Sequence, residues 1–267
     1  MLNLDIRGHG DSRPCADFSI PQAAEDLRAV LVKERCRAPV LVGLSMGGYV
    51  VQEYAWQFGG CAGYLVAGAT PILLDCYSGW ERAGLRASTP LLGVWPWRCL
   101  KSAMAMACSS TEEGRAAVRR MFDQITRREF LRGWRGIAQC LHPEKHFSFD
   151  APLLVCRGER DRTGTIARHM EDWKRAWPET ETAVLPGAAH VVNLDAPEAF
   201  KPPAAGLFDP LRRIEEGEKM KSVPLPRIGM RVVKTAVAVM LSYTIFVPFG
   251  LIYNEALGGV WGQLRPL

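Results

Sequence analysis

Three residues that could do chemistry together stand where apolar runs of this chain end: Ser45, Asp161 and His190, in that order. A serine hydroxyl is a weak nucleophile until a neighbouring base takes its proton. An imidazole is the better base when a carboxylate fixes its tautomer. Ser45 lies in the stretch PVLVGLSMGGYVVQEYA, residues 39–55, where an apolar run stops at Gly43-Leu44-Ser45-Met46-Gly47 and a helical pattern follows. Strand, then G-x-S-x-G, then helix forces the serine into strained backbone geometry. Small neighbours let strand and helix approach, and the hydroxyl stands beside a helix N-terminus. The bare five-residue pattern also occurs as a packing turn, so its weight comes from the other two residues. Asp161 ends the run Leu153-Leu154-Val155-Cys156-Arg157-Gly158-Glu159-Arg160-Asp161, and His190 ends Pro186-Gly187-Ala188-Ala189-His190 after another strand. Of the five histidines only His190 follows a late strand. His142, His146 and His169 are expected to be structural, His169 on a helix with a solvated face.

The elements that must position these residues follow from periodicity. Residues 1–6 read as a short strand, residues 39–42 and 64–68 as further strands, and residues 21–35 and 47–57 as helices. Ser19 or Pro21 would open the first helix. Strand and helix alternating at this spacing imply a parallel sheet with helices on its faces. Between residues 72 and 150 tryptophans, methionines and arginines gather on helix-like segments, 112–124 and 128–140 among them, with no strand run. The sheet pattern then returns with strands at 152–156 and 182–185 around a helix at 166–177. A helical insertion rich in large apolar residues suggests a lid over the sheet's end, and an ordinary helical layer of the core is the alternative.

Taken together, DIRGHGDS (residues 5–12), VGLSMGG (42–48), RGERD (157–161) and GAAHVVNLDAPEAF (187–200) resemble the α/β-hydrolase family. The resemblance implies an α/β fold with a mostly parallel sheet and a helical lid. It implies Ser45 as nucleophile, Asp161 as orienting carboxylate and His190 as base. The backbone N–H of Met46 would be one oxyanion donor, and the chemistry would be hydrolysis of an ester or related bond through an acyl-enzyme. An oxyanion hole needs a second donor, each typically worth a factor of ~10²–10³ in rate. In the family it follows an earlier strand, and here only residues 1–4 precede the D-x-R-G-H-G turn. His9-Gly10 belongs to that turn and does not stand in for it. The expectation is a chain lacking the first strands, with an exposed sheet edge and a pocket more open to water.

Beyond residue 200 the pattern changes. Residues 201–226 are Pro-rich and then charged, and read as a linker. The twenty residues from Thr235 to Asn254 carry no charge and are long enough to span a bilayer, with Lys219, Lys221, Arg227, Arg231 and Lys234 just before them. A buried helix packed on the sheet is the alternative. Residues 227–260 are similar to the opening of aromatic acid exporter family membrane proteins, a resemblance that brings no functional residues. The organisation expected is hydrolase core at 1–71 and 151–200, lid at 72–150, linker at 201–226, and a basic segment with a transmembrane helix at 227–267. From Lys201 onward nine Lys/Arg stand against five Asp/Glu, so most of the net charge of +5 lies in this tail. A basic tail, rather than a nucleic-acid surface, follows.

The eight cysteines show neither C-x-x-C pairs nor zinc-ligand spacing, and free thiols in a reducing cytosol account for them. No phosphate loop, metal spacing or dinucleotide glycine pattern occurs, so no cofactor is expected. The expected partner is a small apolar or aromatic ester-like substrate, with membrane association through the segment from Thr235 to Asn254. The hydrolase part would lie on the cytoplasmic side. The alternative function is an inactive hydrolase remnant acting as a membrane-tethered or interaction protein.

Overall fold

A computed structural model of the chain describes residues 2–143 and 147–201. Four strands form one parallel sheet in sequence order: β1 (Val40–Leu44), β2 (Gly63–Ala67), β3 (Leu153–Gly158) and β4 (Glu181–Leu185). Val42 pairs with Leu65, Leu65 with Leu154, and Leu154 with Glu181. β1 and β2 are buried at every position, as expected of strands covered on both faces. Alternate side chains divide between two cores. Leu41, Tyr64, Val66, Leu153 and Val155 face α1 (Ile20–Lys33), α2 (Met46–Gln57) and α7 (Met170–Ala176). Val40, Val42, Leu44, Leu65, Leu154 and Cys156 face Val192 of α8 (Val192–Asp195) and Phe200. The period of two in a strand thus puts a helical layer and the chain's return on opposite faces.

Local chemistry sets the helix starts. The Ser19 hydroxyl accepts from the Gln22 N–H at 3.3 Å and opens α1, whose Ala24, Leu27 and Leu31 are buried as the spacing demands. Between β2 and β3 run four helices: α3 (Gly79–Val94), α4 (Trp97–Cys108), α5 (Glu112–Gln124) and α6 (Arg127–Ala138). Ser78 with Glu81, and Thr126 with Glu129, close capping boxes at α3 and α6, while Thr111 caps α5. No strand interrupts them, and all eight cysteines are free thiols.

Three expectations are corrected. Residues 2–6 do not form a strand, because their backbone finds no ladder partner among the described strands. The segment docks instead through Ile6, which is buried in the core, and the Ile6 carbonyl accepts from the His9 N–H at 2.9 Å to close a turn. The helix expected at 166–177 begins only at Met170, after a turn in which the His169 N–H reaches the Thr165 carbonyl at 3.2 Å. His169 is not on a solvated face. It is 2% exposed, bonded through Nδ1 to Asp172 Oδ2 at 2.8 Å and stacked near Tyr77.

No helix among the described residues is long and apolar enough to cross a membrane. The expectations for His146 and for the linker and apolar segment from residue 202 onward, Thr235 to Asn254 included, lie outside the described residues.

The two roots of the helical insertion are held together by polar contacts on α2. Residues 72–74 and His142 form a short parallel bridge, with the Leu74 N–H donating to the His142 carbonyl and the His142 N–H to the Ile72 carbonyl, each at 2.8 Å. His142 Nε2 meets Glu53 at 2.8 Å, and the fully buried Gln52 accepts from the Ile72 N–H at 2.9 Å while donating to the Thr70 carbonyl at 3.0 Å. Gln52→Leu removes both partners and leaves two buried backbone groups unpaired, at roughly 1–3 kcal/mol each. The expected outcome is a stability loss of about 2–4 kcal/mol, read as a Tm lowered by roughly 10 °C in a calorimetric scan.

Candidate active site

Ser45 sits between β1 and α2 with φ 54° and ψ −117°. This is the region of the first central residue of a type II′ turn, which glycine fills without strain and a serine does not. The strain is held from both ends. The Ser45 N–H donates to the Ala67 carbonyl on β2 at 2.7 Å, and the Ser45 carbonyl accepts from the Gly48 N–H at 2.9 Å. The strand and helix also meet more closely than any side chain would permit. A Cβ at Gly43 would lie 2.1 Å from the Gly47 carbonyl oxygen, a backbone atom that no rotamer change can remove. The N–H of Met46, first residue of α2, lies ahead of any intrahelical acceptor and is one of the free donors every helix start presents.

The second and third residues come together on the neighbouring strand ends. His190 Nδ1 lies 2.9 Å from Asp161 Oδ2, and both residues are about 95% buried, at 5% and 4% exposure. The other Asp161 oxygen accepts the Thr163 N–H at 2.8 Å. Burial raises the Asp161 carboxyl, but the bond to His190, its charge and the Thr163 N–H outweigh it, holding the group below the usual carboxylate range. With Nδ1–H donated to the carboxylate, the His190 Nε2 carries the lone pair. The two loops fit because β3 ends in Gly158, where a Cβ would lie 2.0 Å from the Ala189 carbonyl oxygen. Ser45 and His190 line one cavity of about 100 Å³. Met104 of α4, Met121 and Phe122 of α5, and Phe130, Trp134 and Ile137 of α6 supply much of its apolar wall.

The structure therefore brings together the three residues expected from the sequence, with Met46 beside them. It adds Asp195, which sequence reasoning missed, and gives the His9 side chain a place at the site. Asp195 gathers the Ser109 and Ser110 hydroxyls at 2.5 and 3.1 Å, and the N–H groups of Ser110 and Ala189 at 2.9 and 2.8 Å. One carboxylate thereby fastens the loop bearing His190 to the turn between α4 and α5, and the Val191 N–H adds a bond to the Cys108 carbonyl at 2.9 Å. Its only signal in the sequence is its place five residues after His190. His9 also lines the cavity. Burial lowers its imidazole from the ordinary value, and Nδ1 lies 3.2 Å from the Arg7 carbonyl. A neutral ring donating there offers an acceptor at Nε2, not a donor. Among the described residues no group of His, Cys, Asp or Glu is arranged to hold a metal ion.

This geometry agrees with what the chain is similar to. It belongs to the α/β hydrolase family, whose sequence model matches residues 2–202. A curated relative, the sn-1-specific diacylglycerol lipase ABHD11 of Mus musculus, is 27% identical over 218 residues, covering 75% of this chain and 68% of that protein. Among solved structures, the esterase EaEST from Exiguobacterium antarcticum superposes with a TM-score of 0.63 at 16% identity, over 77% of this chain and 80% of its own. A thermophilic esterase from Thermogutta terrifontis does so with a TM-score of 0.57 at 22% identity, over 79% and 78%. At these identities the two structures show the fold alone.

The strain at Ser45 has a measurable consequence. Replacing it with glycine relieves about 1–3 kcal/mol of backbone strain and adds about 0.5–1 kcal/mol of unfolded-state entropy. Ser45→Gly is therefore expected to be more stable than the parent by about 1 kcal/mol in denaturant unfolding, whereas Ser45→Ala, which keeps a Cβ, is not. A Ser45→Gly chain no more stable than Ser45→Ala would mean the turn is unstrained.

Proposed function

We propose that the protein hydrolyses carboxylic esters with an apolar acyl part through an acyl-enzyme on Ser45. The observation that carries this is the meeting of a serine on a strained turn and a carboxylate-bonded histidine on one apolar cavity. In the reaction the Ser45 Oγ attacks the ester carbonyl and His190 Nε2 takes its proton. The C–O bond to the alcohol then breaks, and His190 returns the proton to the leaving oxygen. Water, deprotonated by the same nitrogen, releases the acid and restores Ser45. Asp161 stays ionised and holds the imidazole in the tautomer that leaves Nε2 free. The Met46 N–H, at the positive end of α2, faces the charge that develops on the carbonyl oxygen. The helical insertion acts as a lid, since α4, α5 and α6 supply most of the cavity's apolar lining. Lipid-ester cleavage in the name of the mouse relative supports an apolar acyl group, and the intact Ser45, His190 and Asp161 argue against an inert remnant.

A fluorophosphonate probe tests the reading. Labelling is expected in the parent, absent in Ser45→Ala, and slower by about 10³-fold or more in His190→Ala. In a p-nitrophenyl ester series, kcat/KM should rise as the acyl chain lengthens from acetate and fall again once the chain outgrows the cavity. Labelling that survives Ser45→Ala rejects the nucleophile. Hydrolysis that is indifferent to acyl length rejects the cavity as the acyl site.

A further inference from the structure

Helix α3 faces the wrong way for a helix of a water-soluble fold. At 100° per residue, Trp80, Ala83, Gly84, Ala87, Leu91 and Val94 fall within one arc of about 100°. An apolar stripe of that width normally faces a core. Here all six residues are exposed, Trp80 at 89%, Val94 at 81% and Leu91 at 64%, and no residue of the helix is buried. Trp95, at 45% exposure, extends the apolar surface past the helix end. The side turned to the protein is the mixed one. The Trp134 Nε1–H donates to the Ser88 hydroxyl at 2.7 Å, Glu81 closes the N-terminal cap and approaches His169 at 3.5 Å, and Gly93 lies against Leu131. An exposed apolar surface continuous over four helical turns marks a place where something docks.

We infer that the outer face of α3 docks on an anionic lipid surface. Residues 79–98 carry Arg82, Arg86 and Arg98 against the single Glu81; Arg86, on the flank of the stripe, and Arg98, just past the end of α3, are exposed. None of the three is paired with a carboxylate among the described residues. Tryptophan and leucine on one side of a helix with arginine at its borders is the composition of a helix lying in a bilayer interface, where the apolar face sinks and the guanidinium groups meet headgroup phosphates. A second copy of the chain fits less well. Stripe against stripe about a two-fold axis would bring like-charged arginine borders together. Trp134 both lines the cavity and holds Ser88, so a docked bilayer would lie one helix layer from the cavity wall. The surface stands on exposure and charge alone and does not depend on the chemistry proposed for Ser45.

Vesicle flotation of the full-length chain tests this, with phosphatidylcholine vesicles with and without phosphatidylglycerol. The chain is expected to bind the anionic vesicles more tightly. Leu91→Ser and Val94→Ser should each weaken binding by about fivefold to tenfold. Arg86→Glu and Arg98→Glu should each weaken it by about fivefold or more on anionic vesicles, with little effect on neutral ones. Trp80→Phe should reduce the quenching by brominated lipid, leaving the share from Trp95. All five positions are exposed, and an unchanged Tm identifies variants that fold. Because every variant carries residues 202–267 unchanged, differences among them report on α3. Variants that bind as the parent does, or a parent that ignores vesicles, overturn the inference. So does a parent that self-associates without vesicles and becomes monomeric on Leu91→Ser, which would assign the stripe to a second copy.

Discussion

The contact on which the rest depends is the approach of β1 to the start of α2, where Gly43 meets the Gly47 carbonyl with no room for a methyl group. That approach fixes Ser45 at a positive φ after the end of β1, where it lines the cavity. Strain of about 1–3 kcal/mol persists only if the surroundings over-determine it. They do so here with Leu41 on the strand and Val50 and Val51 on the helix, all fully buried. Each contributes about 1.5–3 kcal/mol of burial, so relaxing the turn by sliding α2 would cost more than the strain it released. The geometry of Ser45 is therefore a property of the core, held by side chains remote from its hydroxyl.

A second constraint joins pieces distant in sequence. His190 stands on the loop after β4, where Ala188 and Val192 are buried in the core, but apolar burial alone would not hold an imidazole to a fraction of an ångström. It is clamped from two sides. Gly158 lets it lie directly on the end of β3, beside Asp161. Asp195 ties it to the turn after α4, with Ser109, Ser110 and Ala189 all donating to one carboxylate. Charge-assisted bonds of this kind are about twice as strong as neutral ones. The helical insertion thus does two things at once, walling the cavity and fixing the position of His190. Its own roots are pinned at Gln52 and Glu53 of α2, the helix that carries the serine turn.

The parts of this arrangement that were legible in the sequence are those with a local cause. Periodicity placed α1, α2 and α5 to within a residue or two, Ser19 announced a cap, and the end of each apolar run placed Ser45, Asp161 and His190. What escaped was non-local. Residues 2–6 have strand composition, but a strand is made by its partner, and none of the described strands pairs with them. His169 reads as a surface residue from its own segment, but in the fold Tyr77 and Glu81 of the insertion lie against it. Asp195 is an acidic residue near a turn until the fold brings Ser109 and Ser110, some eighty-five positions earlier, against it.

Helix α3 takes that limit one step further, because a helical period carries no direction. A stripe at 3.6-residue spacing says which residues share a face and nothing about which way the face turns. The direction is decided by α6. Its Trp134 carries an indole N–H toward α3, and a buried or half-buried indole needs an acceptor. Ser88 supplies one, on the flank of α3 away from the centre of the apolar arc. Turning the stripe inward would withdraw Ser88 from Trp134 and Glu81 from His169. An indole N–H turned inward without an acceptor costs about 1–3 kcal/mol. The outward stripe is thus the consequence of a polar seam beneath it. A surface that apolar, held outward by that seam, is stable in water without being satisfied by it.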